Sequence, residues 1–168
     1  MNQFPADKPT FSYTDTAVQA QANYDRLSRW YDWLAGSEAK YRAAGLAALA
    51  AQPGERILEI GFGTGHALAA LATAVGETGS VAGLDISQGM LNVAGDRLAQ
   101  AGVRQRVDLR LGDARTLPYD TAVFDGVFMS FVLELFTGPE MACVLAEVWR
   151  VLQPDGRLCV VSLAKEGA

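Results

Sequence analysis

The chain is predicted to fold as an α/β protein around a doubly wound, mostly parallel sheet. Three observations predict this. Five apolar runs of strand length alternate with stretches of helical periodicity along the sequence. The first run leads into three alternating glycines and then a helix-competent Ala/Leu stretch, RILEIGFGTGHAL from Arg56 to Leu68, which reads as buried strand, tight turn, helix. Short polar residues then stand at successive strand ends, Glu59, Asp85, Asp113 and Ser130, where open α/β sheets gather ligands. With 168 residues, half of them hydrophobic and a fifth charged, the chain suits one compact soluble domain with a sizeable core.

Residues 1–16 are polar, carry Pro5 and Pro9, and are expected to form a loose arm. From Ala17 to Leu34 the pattern turns helical, with Leu27, Trp30, Tyr31 and Leu34 on one face. This helix either docks its aromatics on the core or acts as a lid whose tyrosines, Tyr31 among them, meet cofactor or substrate. Ser37 is placed to cap a second helix over about 38–51, and Gln52-Pro53-Gly54 ends it. Residues 17–52 thus form an N-terminal helical segment, and 53–168 the sheet domain. There the first strand and glycine turn lead into a helix from Gly65 to Val75. A strand from Ser80 ends at Asp85, and Ser87 caps a helix over about 88–101. Val107 to Leu111 alternates as a third strand, and Phe124 to Ser130 reads as a fourth. Thr137 with Glu140 forms a capping box before a helix from Pro139 to Leu152. Gln153-Pro154-Asp155-Gly156 signals a turn, and Leu158 to Leu163 a fifth strand. Right-handed crossovers are expected throughout.

The glycine turn carries the chemistry. Gly61, Gly63 and Gly65 can take positive φ and admit a ligand to bare backbone, and the helix that follows points unpaired N–H groups at that place. A nicotinamide fingerprint would read G-x-G-x-x-G/A. Here the third glycine comes one place early, His66 fills the small slot, and Glu59 suits a cationic or hydroxyl-rich ligand rather than a pyrophosphate. Asp85, about twenty residues past the glycines, is placed to bind both hydroxyls of a ribose. Asp113 beside Ala114 can accept from an adenine amino group and leave room for the ring. A purely structural glycine turn and a dinucleotide site remain the competing readings.

Composition narrows the partners. A net charge of −5 without a basic stripe argues against nucleic acid. No apolar run reaches membrane-span length, and the absence of a signal pattern makes a cytoplasmic address the default. Cys143 and Cys159 lie in apolar segments and are expected to be buried free thiols, and one histidine rules out a histidine-rich metal cluster.

The blocks LEIGFGTGHAL, GLDISQGML, GDARTLPYDTAVFDGVFMSFVLE and VLAEVWRVLQPDGRL resemble successive motifs of the class I S-adenosylmethionine (SAM) methyltransferases, nearest the ubiquinone/menaquinone-biosynthesis C-methyltransferase branch. That branch also tends to carry a leading pair of Tyr-Asp dipeptides, here Tyr24-Asp25 and Tyr31-Asp32. The likeness covers about Tyr24 to Leu163. It implies a Rossmann-like methyltransferase fold, SAM as cofactor and a small or lipid-like methyl acceptor. The expected cofactor-binding set is Glu59, Gly61, Gly63, Thr64, Gly65, Asp85, Ile86, Met90, Asp113, Ala114 and Ser130. The family often has asparagine where Asp113 stands, and an Arg-Asn pair where this chain has Glu134-Leu135. The second departure lies where substrate is usually met, so it bears on the acceptor and leaves the cofactor assignment intact. Methyl transfer to an in-line nucleophile needs mainly alignment, worth roughly 7–11 kcal/mol of barrier. Glu134, Tyr31 and His66 are the substrate-side candidates for proton transfer.

Such enzymes usually continue past strand five into strands six and seven, and here few residues follow Leu163. The expectation is a sheet lacking those strands, either because the sequence is a truncated methyltransferase domain or because a partner or second copy covers the apolar edge. A catalytically silent SAM-binding or interaction protein is the alternative to an enzyme, and a nicotinamide oxidoreductase a third reading.

Overall fold

A computed structural model describes residues 38–162 of the chain. The chain divides into two compact units, residues 1–39 and 40–168, and the sheet belongs to the second. The expected arm, the aromatic helix and its Tyr31 lie outside the described residues.

Helix α1 spans residues 38–49. It is followed by β1 (Arg56–Ile60), α2 (His66–Val75), β2 (Ser80–Asp85), α3 (Gln88–Gln100), β3 (Val107–Leu111), β4 (Phe124–Ser130), α4 (Gly138–Val151) and β5 (Leu152–Val161). The five strands run parallel in the order β3-β2-β1-β4-β5. The order reverses at β1, whose neighbours are β2 and β4, so the doubly wound expectation holds. Central position explains the near-continuous apolar reading of β1. Ile57 faces one core with Leu49, Leu68, Leu71, Val75, Leu98 and Phe128. Leu58 and Ile60 face the other with Leu84, Val127, Met129, Val144 and Val148. Helices α1, α2 and α3 contribute to the first layer and α4 to the second.

Local signals set the element ends. Ser87 accepts from the Met90 N–H at 3.3 Å and caps α3. Glu140 Oε2 accepts from the Thr137 N–H at 3.0 Å and its hydroxyl at 2.9 Å, the expected box before α4. The fifth strand departs from expectation. It begins at Leu152, directly after α4, because Leu152 already pairs with Phe124 before Gln153–Gly156 bulges out and Arg157 rejoins opposite Gly126. The turn signal is real, but it interrupts the ladder instead of preceding it, with Asp155 at φ 67°. Among the described residues β5 pairs with β4 alone. Both cysteines are free, but Cys143 is exposed and Cys159 half-buried. The expectation of two buried thiols is corrected, because α4 turns Val144 and Val148 to the sheet and carries the adjacent Cys143 outward.

No helix among the described residues is long and apolar enough to cross a membrane.

Candidate functional site

Strand register brings the predicted strand-end residues into one row. Glu59 pairs with Gly83 on β2 and with Phe128 on β4. Beyond them the Gly61 N–H donates to the Leu84 carbonyl at 2.7 Å, and the Gly112 N–H to the Asp85 carbonyl at 2.9 Å. Ser130 follows Met129, the partner of Ile60. Glu59, the glycine turn, Asp85, Gly112-Asp113 and Ser130 therefore meet at the carboxyl ends of four adjacent strands, around the order reversal.

The turn takes positive φ at all three glycines, 70°, 50° and 79°. Phe62 is buried and lies against Gly83, where a Cβ would come within 2.9 Å of its ring. Gly65 sits against Ala94 of α3, and Arg97 of the same helix donates to the Thr64 carbonyl at 2.7 Å. Thr64 itself is exposed. Helix α3 thus clamps the loop from outside, a role for Ala94 and Arg97 that the sequence reading missed. Gly63 differs from its neighbours, since nothing lies within 4 Å of the place a Cβ would take.

Asp85 anchors this arrangement. One carboxylate oxygen accepts from the Gly63 N–H at 2.8 Å and the other from the Ser87 N–H at 2.9 Å. The side chain expected to hold a ribose therefore also ties the glycine turn to β2, and each oxygen keeps a lone pair for a hydroxyl donor. Ile86 next to it is 76% exposed, and Met90 stands open on α3, so both present apolar surface beside Asp85.

Glu59 is the buried carboxyl of the site. It is 2% exposed, and its Oε2 has no hydrogen-bond partner. Burial holds its carboxyl well above the usual range. The Arg42 charge opposes this, nearby Asp85 adds to it, and a backbone hydrogen bond from Leu68 opposes it. Ser130 Oγ is a second buried polar atom without a partner. His66 opens α2, and its pKa is lowered by partial burial and by the charges of Arg97 and Arg42, so it favours the neutral, proton-accepting imidazole. Glu134 lies in a 3₁₀ turn just past β4 and accepts from the Ser162 hydroxyl at 3.1 Å. Asp113 opens the loop after β3 and carries an ion pair. Arg115 folds back on it, with Nη2 2.6 Å from Oδ2 and its own N–H 2.8 Å from Oδ1, and also pairs with Glu140 of α4 at 2.6 Å. Ala114 is buried in the second core.

These residues fit a sulfonium nucleoside bearing an amino-acid tail. The unpartnered Glu59 oxygen wants a cationic donor, the bare Gly63 face leaves room for a ligand against backbone, and Asp85 offers paired acceptors. A concavity of about 760 Å³ lies at the opposite rim, lined by the first residues of β1, β2 and β3. It contains none of the candidate residues, and Arg106–Glu77 and Arg110–Asp108 neutralise much of its charge.

Comparison with known proteins agrees with the geometry. The methyltransferase-domain family matches residues 57–156. This chain belongs to the class I SAM-dependent methyltransferases. Ubiquinone/menaquinone biosynthesis C-methyltransferase UbiE of Vibrio cholerae serotype O1 is 41% identical over 115 residues, 68% of this chain and 44% of that protein. Demethylmenaquinone methyltransferase of Desulfitobacterium hafniense is 31% identical over 160 residues, 92% of this chain and 62% of that protein. Among solved structures, phosphoethanolamine N-methyltransferase 1 of Haemonchus contortus, in complex with phosphoethanolamine and S-adenosylhomocysteine, superposes with a TM-score of 0.65 at 25% identity. It covers 73% of this chain and 25% of that one. The chain spans about half the length of the curated relatives it matches. Membership in the class I methyltransferases makes SAM the cofactor, as the sequence motifs imply.

Proposed function

We propose that this chain holds SAM across the tips of β1, β2 and β4 and transfers its methyl group to a small, lipid-like acceptor of the quinone-precursor type. The observation that carries the cofactor pose is the buried, unpartnered Glu59 oxygen next to the open face of Gly63. Glu59 takes the ammonium of the methionyl portion, Asp85 the ribose hydroxyls, and Ile86 with Met90 the adenine face. Asp113, held by Arg115, orients the loop that carries Ala114 to the ring edge, and Ser130 Oγ meets the ligand from β4. The bound sulfonium supplies a methyl already activated for displacement. The protein's own contribution is alignment and exclusion of water, worth roughly 7–11 kcal/mol when the reacting atoms are held in line. His66 and Glu134 are the candidates to relieve an acceptor of its proton, and the lowered pKa of His66 favours the neutral, accepting imidazole there.

The quinone-type acceptor rests on the names of the two relatives, and Glu134-Leu135 marks the segment where this chain departs from that branch. Calorimetric titration of the full chain with S-adenosylhomocysteine tests the cofactor pose. Saturable binding is expected, and Asp85→Asn should weaken it at least tenfold, since an amide cannot accept from both backbone N–H groups and two hydroxyls. Unchanged affinity in that variant sinks the ribose assignment. Labelled methyl transfer to a demethylated naphthoquinol then tests the acceptor. Binding without transfer removes the quinone reading and leaves the cofactor reading standing.

A further inference from the structure

Helix α4 buries Val144, Val148 and Val151 against the sheet, and its two flanks differ. One flank carries Glu140, Glu147 and Arg150, which bond to the loop after β3 at Arg115, at the Leu117 N–H and at the Leu117 and Tyr119 carbonyls. That loop leads from β3 across to β4, so this flank faces β1 and β2. The opposite flank faces β5 and the rim of the sheet. It carries Leu145 and Trp149, one helical turn apart, and they are 39% and 82% exposed.

Strand β5 continues that surface. Leu152 and Val160 pack on the second core, Cys159 and Val161 on the first. Leu158 alternates with Cys159, so it shares the α4 face with Val160, and it is 40% exposed. The backbone fixes which groups are open. The Val161 carbonyl accepts from the Phe131 N–H of the β4 end at 2.7 Å, so Arg157, Cys159 and Val161 turn N–H and C=O toward β4. Leu158 and Val160 turn theirs outward, where no strand pairs among the described residues. An edge without proline or a charged side chain over residues 158–161 invites another strand.

A second copy of this chain fits that edge. Turned about a two-fold axis through Cys159, β5 meets its mate antiparallel. Leu158 then lies opposite the partner's Val160, and the outward N–H and C=O groups of the two residues exchange hydrogen bonds. The opposed side chains are apolar, so no like charges meet although the chain as a whole carries −5. The charges nearest the edge are taken within the chain, Arg157 by Glu55 and Arg150 by Glu147. On the α4 side, Leu145 and Trp149 of each copy face those of the other across the axis. A tryptophan alone buries about 150–250 Å². With Leu145, Leu158 and the edge backbone, the patch is on the scale of the roughly 800 Å² per partner that a stable dimer needs.

We propose that this chain forms a two-fold symmetric dimer through β5, joining two five-stranded sheets into one and burying Leu145 and Trp149 between the paired α4 helices. Because the pairing is antiparallel, the two crevices open on opposite rims of the joined sheet, and the dimer does not depend on the cofactor pose.

Size-exclusion chromatography of the full chain with light scattering should return twice the chain mass. Trp149→Lys combined with Leu158→Lys places charge at exposed positions and should halve that mass while the circular-dichroism spectrum stays native. A wild-type chain that is monomeric at every concentration overturns the proposal, as does a dimer that survives both substitutions in a natively folded chain. Hydrogen exchange on the wild-type chain needs no variant. The Val160 amide should be as protected as that of Cys159, which points to β4. Rapid exchange at Val160 beside slow exchange at Cys159 would show the edge open and overturn the pairing.

Discussion

Gly63 and Gly65 stand two residues apart in one turn and serve different neighbours. Both hold positive φ, at 50° and 79°, which costs a residue with a Cβ about 1–2 kcal/mol. At Gly65 the added carbon would also lie 2.8 Å from the Ala94 Cβ and 3.0 Å from its Cα, and a helix backbone cannot step aside cheaply. At Gly63 it would meet only open space, the space assigned to the ligand. Gly65→Ala should therefore lower unfolding free energy by about 2–5 kcal/mol, the sum of the conformational cost and overpacking. Gly63→Ala should lose only about 1–2 kcal/mol yet lose most of its affinity for S-adenosylhomocysteine. Urea denaturation and calorimetry on the two variants read both effects, and a Gly63→Ala chain that binds as tightly as wild type would remove the ligand from that face. The spacing of the three glycines was legible in the sequence because each needs a special backbone. Their division of labour was not, since it depends on Ala94, 29 residues away from Gly65 in the chain and adjacent only in the fold. Asp85 shows the same limit. Its place at a strand tip was readable, but its two bonds to backbone N–H groups appear only when turn and strand are brought together.

Between β3 and β4 the chain runs through a loop, residues 112–123, that carries Asp113 and Ala114 and lies on the α4 side. An ion pair of α4 holds it there. Arg150 donates to the Tyr119 carbonyl at 2.7 Å and the Leu117 carbonyl at 3.0 Å. Glu147 accepts from the Leu117 N–H at 2.7 Å and pairs with Arg150 at 2.7 Å. All these bonds are part-buried, so removing the carboxylate strands an N–H and frees the loop. Glu147→Ala is expected to cost about 1–3 kcal/mol in urea denaturation. It should also speed amide hydrogen exchange at Leu117 and through the loop while β1 and β2 stay protected. Exchange confined to α4, with the loop unchanged, would show that the loop is held by its apolar contacts through Leu117 instead. The strands, the α4 capping box and the helix after the glycines were readable from periodicity and cap residues, which act locally. This staple was not, because its residues lie 30 apart and look like ordinary surface charges on an amphipathic helix. The same reasoning explains β5. Its pairing at Leu152 is set by the neighbouring Phe124 and overrides the Pro-Asp-Gly signal that follows.

Across the whole molecule, titration sets two opposing trends in stability. Arg157 beside Glu55 and Arg150 beside Glu147 hold those carboxyls below their ordinary value of 4.5. Groups lowered in the folded state contribute stability that is present above 4.5 and is lost as pH falls through their folded values. Glu59 runs the other way. Burial raises it well above 4.5, so its contribution is complete below 4.5 and is lost as pH rises through the folded value, because the unfolded chain ionises where the folded chain resists. The groups that set this value are Arg42 on α1 and Asp85 on β2, with the Leu68 N–H of α2. Replacing Glu59 with glutamine keeps the shape and removes the titration. Glu59→Gln should therefore match wild type below pH 4.5 and become progressively more stable than wild type as pH rises above it, while binding S-adenosylhomocysteine more weakly at every pH. A carboxylate that makes the empty fold less stable is explained only by what it holds when the crevice is filled. Binding should accordingly release protons from Glu59, since an ammonium beside it favours the ionised form. Titration in two buffers of different ionisation enthalpy measures that release. Urea midpoints for wild type and Glu59→Gln that run parallel across this pH range, with no proton released on binding, would show that Glu59 is ionised throughout and would leave its burial without a ligand to explain it.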